Sequence, residues 1–291
     1  MIYLDVTSAA ASRMSTGVQR SIRGIYELLR REREVLPVRW DFSGGCYATL
    51  SPRELGLLTE PFDHDHRAEM WPGFWDWLRV SGVLRDRLDR ASRRMSIDSL
   101  LSPKDLLLIP DLCWDARVHS WGRLKGLSGK KVAIFHDAMP LRIQGQPFSR
   151  DDLFAEYVRK LGLMDLVICV SREVESDLLH YWKRYGFHPK PTVVLPWPVP
   201  FQGPRPVNAP NQKSSRLIYI SRLRLRKNHL VLLEACELLW ERGLKFSLDL
   251  IGIADTIIDT TRILYRMKRL AAKGRPVRWL RHVSDDELHR A

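Results

Sequence analysis

Compact runs of Val, Ile and Leu alternate with helical periodicity along almost the whole of this 291-residue chain, and that alternation limits the fold more than any other feature. The runs IYLDV (2–6), DLLLIP (105–110), KVAIFH (131–136), DLVICV (165–170) and TVVLP (192–196) are short and apolar, as strands buried on both faces of a parallel sheet must be. Between them, Val18, Ile22, Ile25, Tyr26 and Leu29 recur at three- and four-residue spacing. Leu153, Phe154, Tyr157, Val158 and Leu161 do the same behind the acidic pair Asp151 and Asp152, which suits a helix start. Strand and helix in alternation predict a doubly wound α/β domain.

The texture changes at PWPVPFQGPRPVNAPNQKSS (196–215), which holds six prolines and no periodicity. It divides a first domain, 1–200, from a second, 215–291, through a Pro-rich linker over 201–214. After it the rhythm resumes. RLIYIS is a strand, 228–242 a helix, FSLDLIG a strand, 258–273 a basic helix and VRWL a strand, and SDDELHRA then opens a helix capped by Ser284 with Glu287 in the capping-box position. Three strands and two full helices in 77 residues are few for an independent α/β sheet, so the second domain is expected to be incomplete and the less stable half.

A formal charge of +13 calls for anionic partners: nucleic acid, an acidic membrane surface or a phosphorylated small molecule. No helix-turn-helix, zinc-finger or RNA-binding signature appears, so nucleic acid is not the expected partner. A non-catalytic basic module for an anionic membrane or nucleic acid stands as the alternative reading. The N-terminal MIYLDVTSAA does not read as a signal peptide, and no apolar run approaches the length of a bilayer span. Cys46, Cys113, Cys169 and Cys236 are far apart, with no C-x-x-C pair, as thiols in a reducing compartment would be; a cytoplasmic location is expected. In 64–97, Trp71, Trp75 and Trp77 precede a strongly basic helix. That pattern fits either a peripheral contact with an anionic membrane or a helix packed on the first domain.

Four short stretches carry candidate chemistry. Asp63 and Asp65, with His64 and His66, have the composition of a divalent-metal site but follow no buried strand; a solvated loop is the simpler reading, and no metal site is expected. Gly17 lies between the first strand and first helix, where backbone N–H groups are open to an anion, although a glycine there is often only a turn. His136 and Asp137 follow a buried strand, the ligand-binding end of open α/β sheets, or else are a packed His and a capping Asp. YISRLRLRKNHLVLLEA (219–235) sets Arg222 and Lys227 at a strand end and a helix start, where fixed cations beside helix N–H groups suit a diphosphate.

Taken in order, TGVQRSIR, DLLLIPDLCW, VAIFHDAMPLR, DLVICVSREVESDLLHYW, YISRLRLRKNHLVLLEA and VSDDELHRA resemble the motifs of family 4 retaining, nucleotide-sugar-dependent glycosyltransferases, of the two-domain GT-B fold. The resemblance implies two Rossmann-like domains and no cofactor beyond the nucleotide-diphosphate-sugar substrate. It implies a glycan or lipid-linked acceptor in surface polysaccharide synthesis, handled at the inner membrane face. Arg222, Lys227 and Gly17 would bind the donor diphosphate, and His136 the transferring sugar. Asn228 would fix the loop, while Arg20, Asp137 and Ser171 would serve the acceptor side or the structure. Two departures stand out: Ser221 replaces the glycine that usually opens the phosphate motif, and the family's later glutamate-x7-glutamate region and final helix have no counterpart here. The second domain is therefore expected to lack the donor's sugar and ribose contacts.

Overall fold

The computed structural model describes residues 1–11, 16–59, 93–95, 101–113, 115–142, 151–197, 215–254, 257–281 and 283. Asp63, Asp65, nearly all of 64–97, the linker and the Ser284–Glu287 helix start lie outside the described residues. The chain separates into two compact units, one over Met1–Asp63 and Ala68–Val199 and one over Pro200–Ala291.

In the first unit the elements run β1 (Ile2–Asp5), α1 (Thr7–Ala11), α2 (Gly17–Glu32), β2 (Val35–Asp41), β3 (Cys46–Thr49), α3 (Pro52–Thr59), β4 (Arg94–Met95), β5 (Leu106–Ile109), α4 (Arg117–Ser120), β6 (Lys130–Phe135), α5 (Met139–Arg142), α6 (Asp151–Lys160), β7 (Leu166–Cys169), α7 (Arg172–Arg184) and β8 (Thr192–Val194). They form an eight-stranded sheet of order β4-β3-β2-β1-β5-β6-β7-β8. β2, β1, β5, β6, β7 and β8 pair in parallel, whereas β3 and β4 extend the sheet antiparallel beyond β2. Leu107, Ile109, Ala133, Phe135, Val167 and Cys169 face one core with Phe154, Tyr157 and Trp182, while Leu4, Ile22, Tyr26 and Leu58 form a second. Apolar residues of β5 therefore serve both faces, which explains their unbroken run in the sequence.

β2 was not legible in the sequence, because Pro37 argues against a central strand. The ladder accommodates it. The amides of Ile2 and Val6 donate to the carbonyls of Glu34 and Val38, so Pro37 turns its missing N–H away from β1. Pairing with β3 begins only at Val38, one residue later. The helix read over the Asp151 segment is also shorter than its periodicity predicted: α6 stops at Lys160 and a 3₁₀ turn, Leu161–Leu163, follows.

The second unit runs β9 (Arg216–Ile220), a 3₁₀ turn (Leu225–Lys227), α8 (His229–Glu241), β10 (Ser247–Ile251), α9 (Ile257–Ala272) and β11 (Val277–Leu280). Its strands are parallel in the order β11-β10-β9. Leu233, Cys236 and Trp240 of α8 and Ile263, Met267 and Leu270 of α9 pack with Leu248 and Leu250 in one core. The alternate residue, Asp249, is fully buried and is held by Arg216 Nε at 2.6 Å and Arg278 Nε at 2.8 Å, a charge bridge across all three strands. Glu237 joins the two helices through Arg266 and Lys273. Among the described residues no helix is long and apolar enough to cross a membrane.

Candidate functional site

The cationic stretch of the second unit lies at the carboxyl end of β9 and takes its shape from alternation. Leu223 is fully buried in the core and Leu225 packs against it, so these two leucines draw the loop inward while arginines fall between them. The loop is also tied to the strand end beyond β10: Ser221 and Leu223 donate their amides to Ile251 and Ile253 at 2.8 and 3.0 Å. Gly252 makes that approach possible. Its φ is +140°, and a Cβ there would lie 2.1 Å from the Ser221 carbonyl oxygen.

Two aromatic side chains fix the end of the loop. The buried His229 donates Nδ1–H to the Arg224 carbonyl at 3.0 Å, and the Tyr219 hydroxyl donates to the Lys227 carbonyl. The rings meet edge to face, 5.1 Å apart. Burial lowers the His229 pKa, the Arg224 carbonyl pulls it back up, and the Lys227 charge lowers it further; the net direction is down, toward the neutral imidazole. Asn228 turns the chain into α8 with φ 55° and ψ 27°, a left-handed conformation that asparagine tolerates better than most residues. Its side chain makes no capping hydrogen bond, which leaves first-turn amides of α8 to another acceptor. Arg222 is half-buried, Lys227 is exposed, and among the described residues neither forms an ion pair. Uncapped amides beside two cations are the elements an anion site requires.

In the first unit His136, Asp137 and Ser171 follow the carboxyl ends of β6 and β7. Gly17 and Arg20 instead lie in α2, which the short helix α1 separates from β1, so Gly17 does not open the first helix as the sequence implied. His136, just beyond β6, donates Nε2–H to the Pro110 carbonyl beyond β5 at 2.7 Å. That bond selects the tautomer and leaves Nδ1 as an acceptor. Burial pushes the His136 pKa down, only partly offset by the Pro110 carbonyl and the Asp111 and Asp137 carboxylates. Asp137 and Ser171 do structural work: Asp137 accepts the Met139 amide at 3.0 Å at the start of α5, and Ser171 caps α7 by accepting from Val174 at 3.2 Å. Gly17 opens α2 with open space where a Cβ would stand. The α2 terminus is less free than the sequence implied, because Thr16 and Gln19 form a capping box that already takes the Gln19 amide. Arg20 is exposed on the next turn.

Two features escaped the sequence reading. Trp197, beyond β8, stacks on His136 with ring centroids 5.6 Å apart and planes 22° apart. The second is a buried charge hub. Arg117 reaches Asp5 at 3.4 Å, Asp111 at 3.0 Å and Asp115 at 2.8 Å. Tyr47 and Thr7 donate to Asp5, and Ser8 donates its amide and hydroxyl to Asp111. Burial raises the Asp5 pKa, against the pull of Arg117 and Thr7. Asp111 adjoins Pro110, so the hub holds the carbonyl that orients His136. The available signal was an acid at each of two strand ends, Asp5 and Asp111, in an otherwise apolar context.

No protein-family model matches this chain, and no curated protein sequence matches it. Solved structures do. The E. coli trehalose-6-phosphate structure bound with UDP-2-fluoro glucose aligns over 99% of this chain and 75% of its own, with TM-score 0.54 and 16% identity. Anabaena HepE in complex with UDP and glucose aligns over 98% of this chain and 70% of its own, with TM-score 0.53 and 14% identity. TarM aligns over 65% of this chain and 34% of its own, with TM-score 0.43 and 15% identity. The chain thus spans a third to three quarters of the lengths of these neighbours. The first two likenesses establish the fold class, α/β with two Rossmann-like units of the GT-B kind.

Proposed function

We propose that the protein is a retaining glycosyltransferase that moves a sugar from a nucleotide-diphosphate donor to a glycan or lipid-linked acceptor. The observation that carries this reading is the anion site of the second unit: Arg222 and Lys227, without ion-pair partners among the described residues, beside the uncapped start of α8. As the bond from the sugar's anomeric carbon to the diphosphate oxygen breaks, negative charge grows on the leaving group. Preorganised cations and amides stabilise that charge more than they stabilise the ground state. The neighbours bound with UDP and sugars support a nucleotide-sugar as the ligand.

In the first unit, His136 acts on the transferring sugar. With Nε2–H committed to Pro110, it accepts a hydrogen bond from a sugar hydroxyl through Nδ1 rather than donating one. Gly17 lends first-turn amides of α2, and Asn228 holds the phosphate loop in its left-handed turn. The reaction needs no cofactor beyond the donor. The setting is surface polysaccharide synthesis, in the cytoplasm at the inner membrane face. The testing experiment incubates the chain with a panel of labelled nucleotide-sugars and follows release of the nucleoside diphosphate. Release from at least one donor, lowered about tenfold or more by Arg222→Ala, is expected. No release and no nucleoside-diphosphate binding across the panel would refute the reading.

A further inference from the structure

The opposite edge of the first unit's sheet, where the strands begin, holds a second concentration of positive charge. A cavity of about 400 Å³ opens there among Lys125, Lys131, Met164, Asp165, Lys190 and Pro191. Lys131 opens toward it from β6 and is almost fully buried. Its ammonium is held by the carbonyls of Leu127 and Gly129 at 3.2 and 3.1 Å and by Asp165 at 3.2 Å. Gly129 permits this seat, since a Cβ would lie 2.8 Å from both the Leu101 side chain and the Ser102 carbonyl oxygen.

The one acid in the lining is therefore already committed. Asp165 accepts the Lys131 amide at 2.8 Å as well as its ammonium. Burial pushes the Asp165 carboxyl up, but the amide and charge of Lys131 outweigh it and hold its pKa below the ordinary range. The Lys131–Asp165 pair is neutral as a unit. Lys125, from the 3₁₀ turn Trp121–Gly126, and Lys190, from the segment before β8, remain to set the sign of the cavity. Both are exposed, and neither forms an ion pair among the described residues. Two like charges around one concavity repel unless an anion lies between them. The volume falls in the range of small-molecule sites, larger than a bare inorganic ion requires.

We propose that this cavity is a second anion site, taking a phosphate-bearing ligand between Lys125 and Lys190 and distinct from the one on the second unit. A soluble phosphate ester and a phospholipid headgroup share that chemistry. The test uses the full chain carrying Arg222→Ala and Lys227→Ala, with and without Lys125→Gln and Lys190→Gln; both pairs are exposed or half-exposed, and circular dichroism checks the fold. Inorganic pyrophosphate binding is measured by calorimetry, and flotation is followed with phosphatidylcholine vesicles with and without phosphatidylglycerol. Pyrophosphate affinity lower by about tenfold in the Lys125/Lys190 variant identifies a soluble phosphate ligand. Loss of flotation with the anionic vesicles alone identifies the headgroup. Unchanged pyrophosphate binding together with unchanged flotation overturns the proposal.

Discussion

Replacing Arg117 by Met should destabilise the first unit severely, and the structure shows why. Arg117 is 2% exposed, and its guanidinium faces Asp5, which has no exposed side-chain surface, and Asp111, which is 4% exposed. Methionine fills similar volume but leaves two carboxylates buried without their cation. Breaking a buried ion pair from one side costs about 3–5 kcal/mol. For a unit of this size that is roughly a 6–20 °C fall in melting temperature. The stranded acids will take up protons, so the loss should be smaller at pH 5 than at pH 8. Adding Asp5→Asn to Arg117→Met should then restore part of the loss, because the amide oxygen still accepts from Thr7 and the amide nitrogen can donate to the Tyr47 hydroxyl, with no charge left to bury. Calorimetry of the single and double variants at both pH values measures this. A cost below about 1 kcal/mol for Arg117→Met, or a double variant worse than the sum of its parts, would refute the argument.

Other outcomes follow from the second unit. His229→Leu leaves the Arg224 carbonyl without its donor and should weaken nucleoside-diphosphate binding by about 1–3 kcal/mol, while His229→Asn, whose amide can donate from the Nδ1 position, should recover most of it; calorimetric titration of both variants decides. The bonds from Arg278, outweighing burial and reinforced by Arg216, hold the Asp249 pKa below the ordinary carboxylate value. A depressed acid contributes stability above its unfolded pKa and loses it as pH falls, so the second unit should weaken below about pH 4, and Asp249→Asn should flatten that dependence in acid unfolding followed by circular dichroism. If the proposed function holds, sugar transfer should persist in a metal chelator, with Arg222 and Lys227 taking the place of a metal at the leaving diphosphate; turnover lost in chelator and restored by manganese or magnesium would instead point to Asp63 and Asp65.

Most parallel strands were legible because burial makes them largely apolar, and β1, β5, β7, β8 and β9 to β11 lie within the runs read from the sequence, with β6 beginning one residue before its run, at Lys130. β2 was not, since a proline in a strand is tolerated only through the ladder geometry around Pro37, a tertiary fact. The phosphate loop was visible as charge at a strand-to-helix junction. What holds it was not: nothing local distinguishes Tyr219 and His229 from ordinary core aromatics. The same holds for Arg117: Asp111 is near it in sequence, but Asp5 is distant and joins them only when β1 and β5 pair. Asp137 and Ser171 show the converse. Their position beyond strand ends drew attention, and helix capping accounts for the bonds they make.

The most direct test of the central claim is calorimetric titration of the full chain with nucleoside diphosphates, repeated on Arg222→Ala and Lys227→Ala. Each substitution removes one charge-assisted contact and should cost about 1.5–3 kcal/mol of binding, with no change in unfolding temperature because neither side chain is in the core. Affinity for every nucleoside diphosphate that is unchanged in both variants would contradict the account.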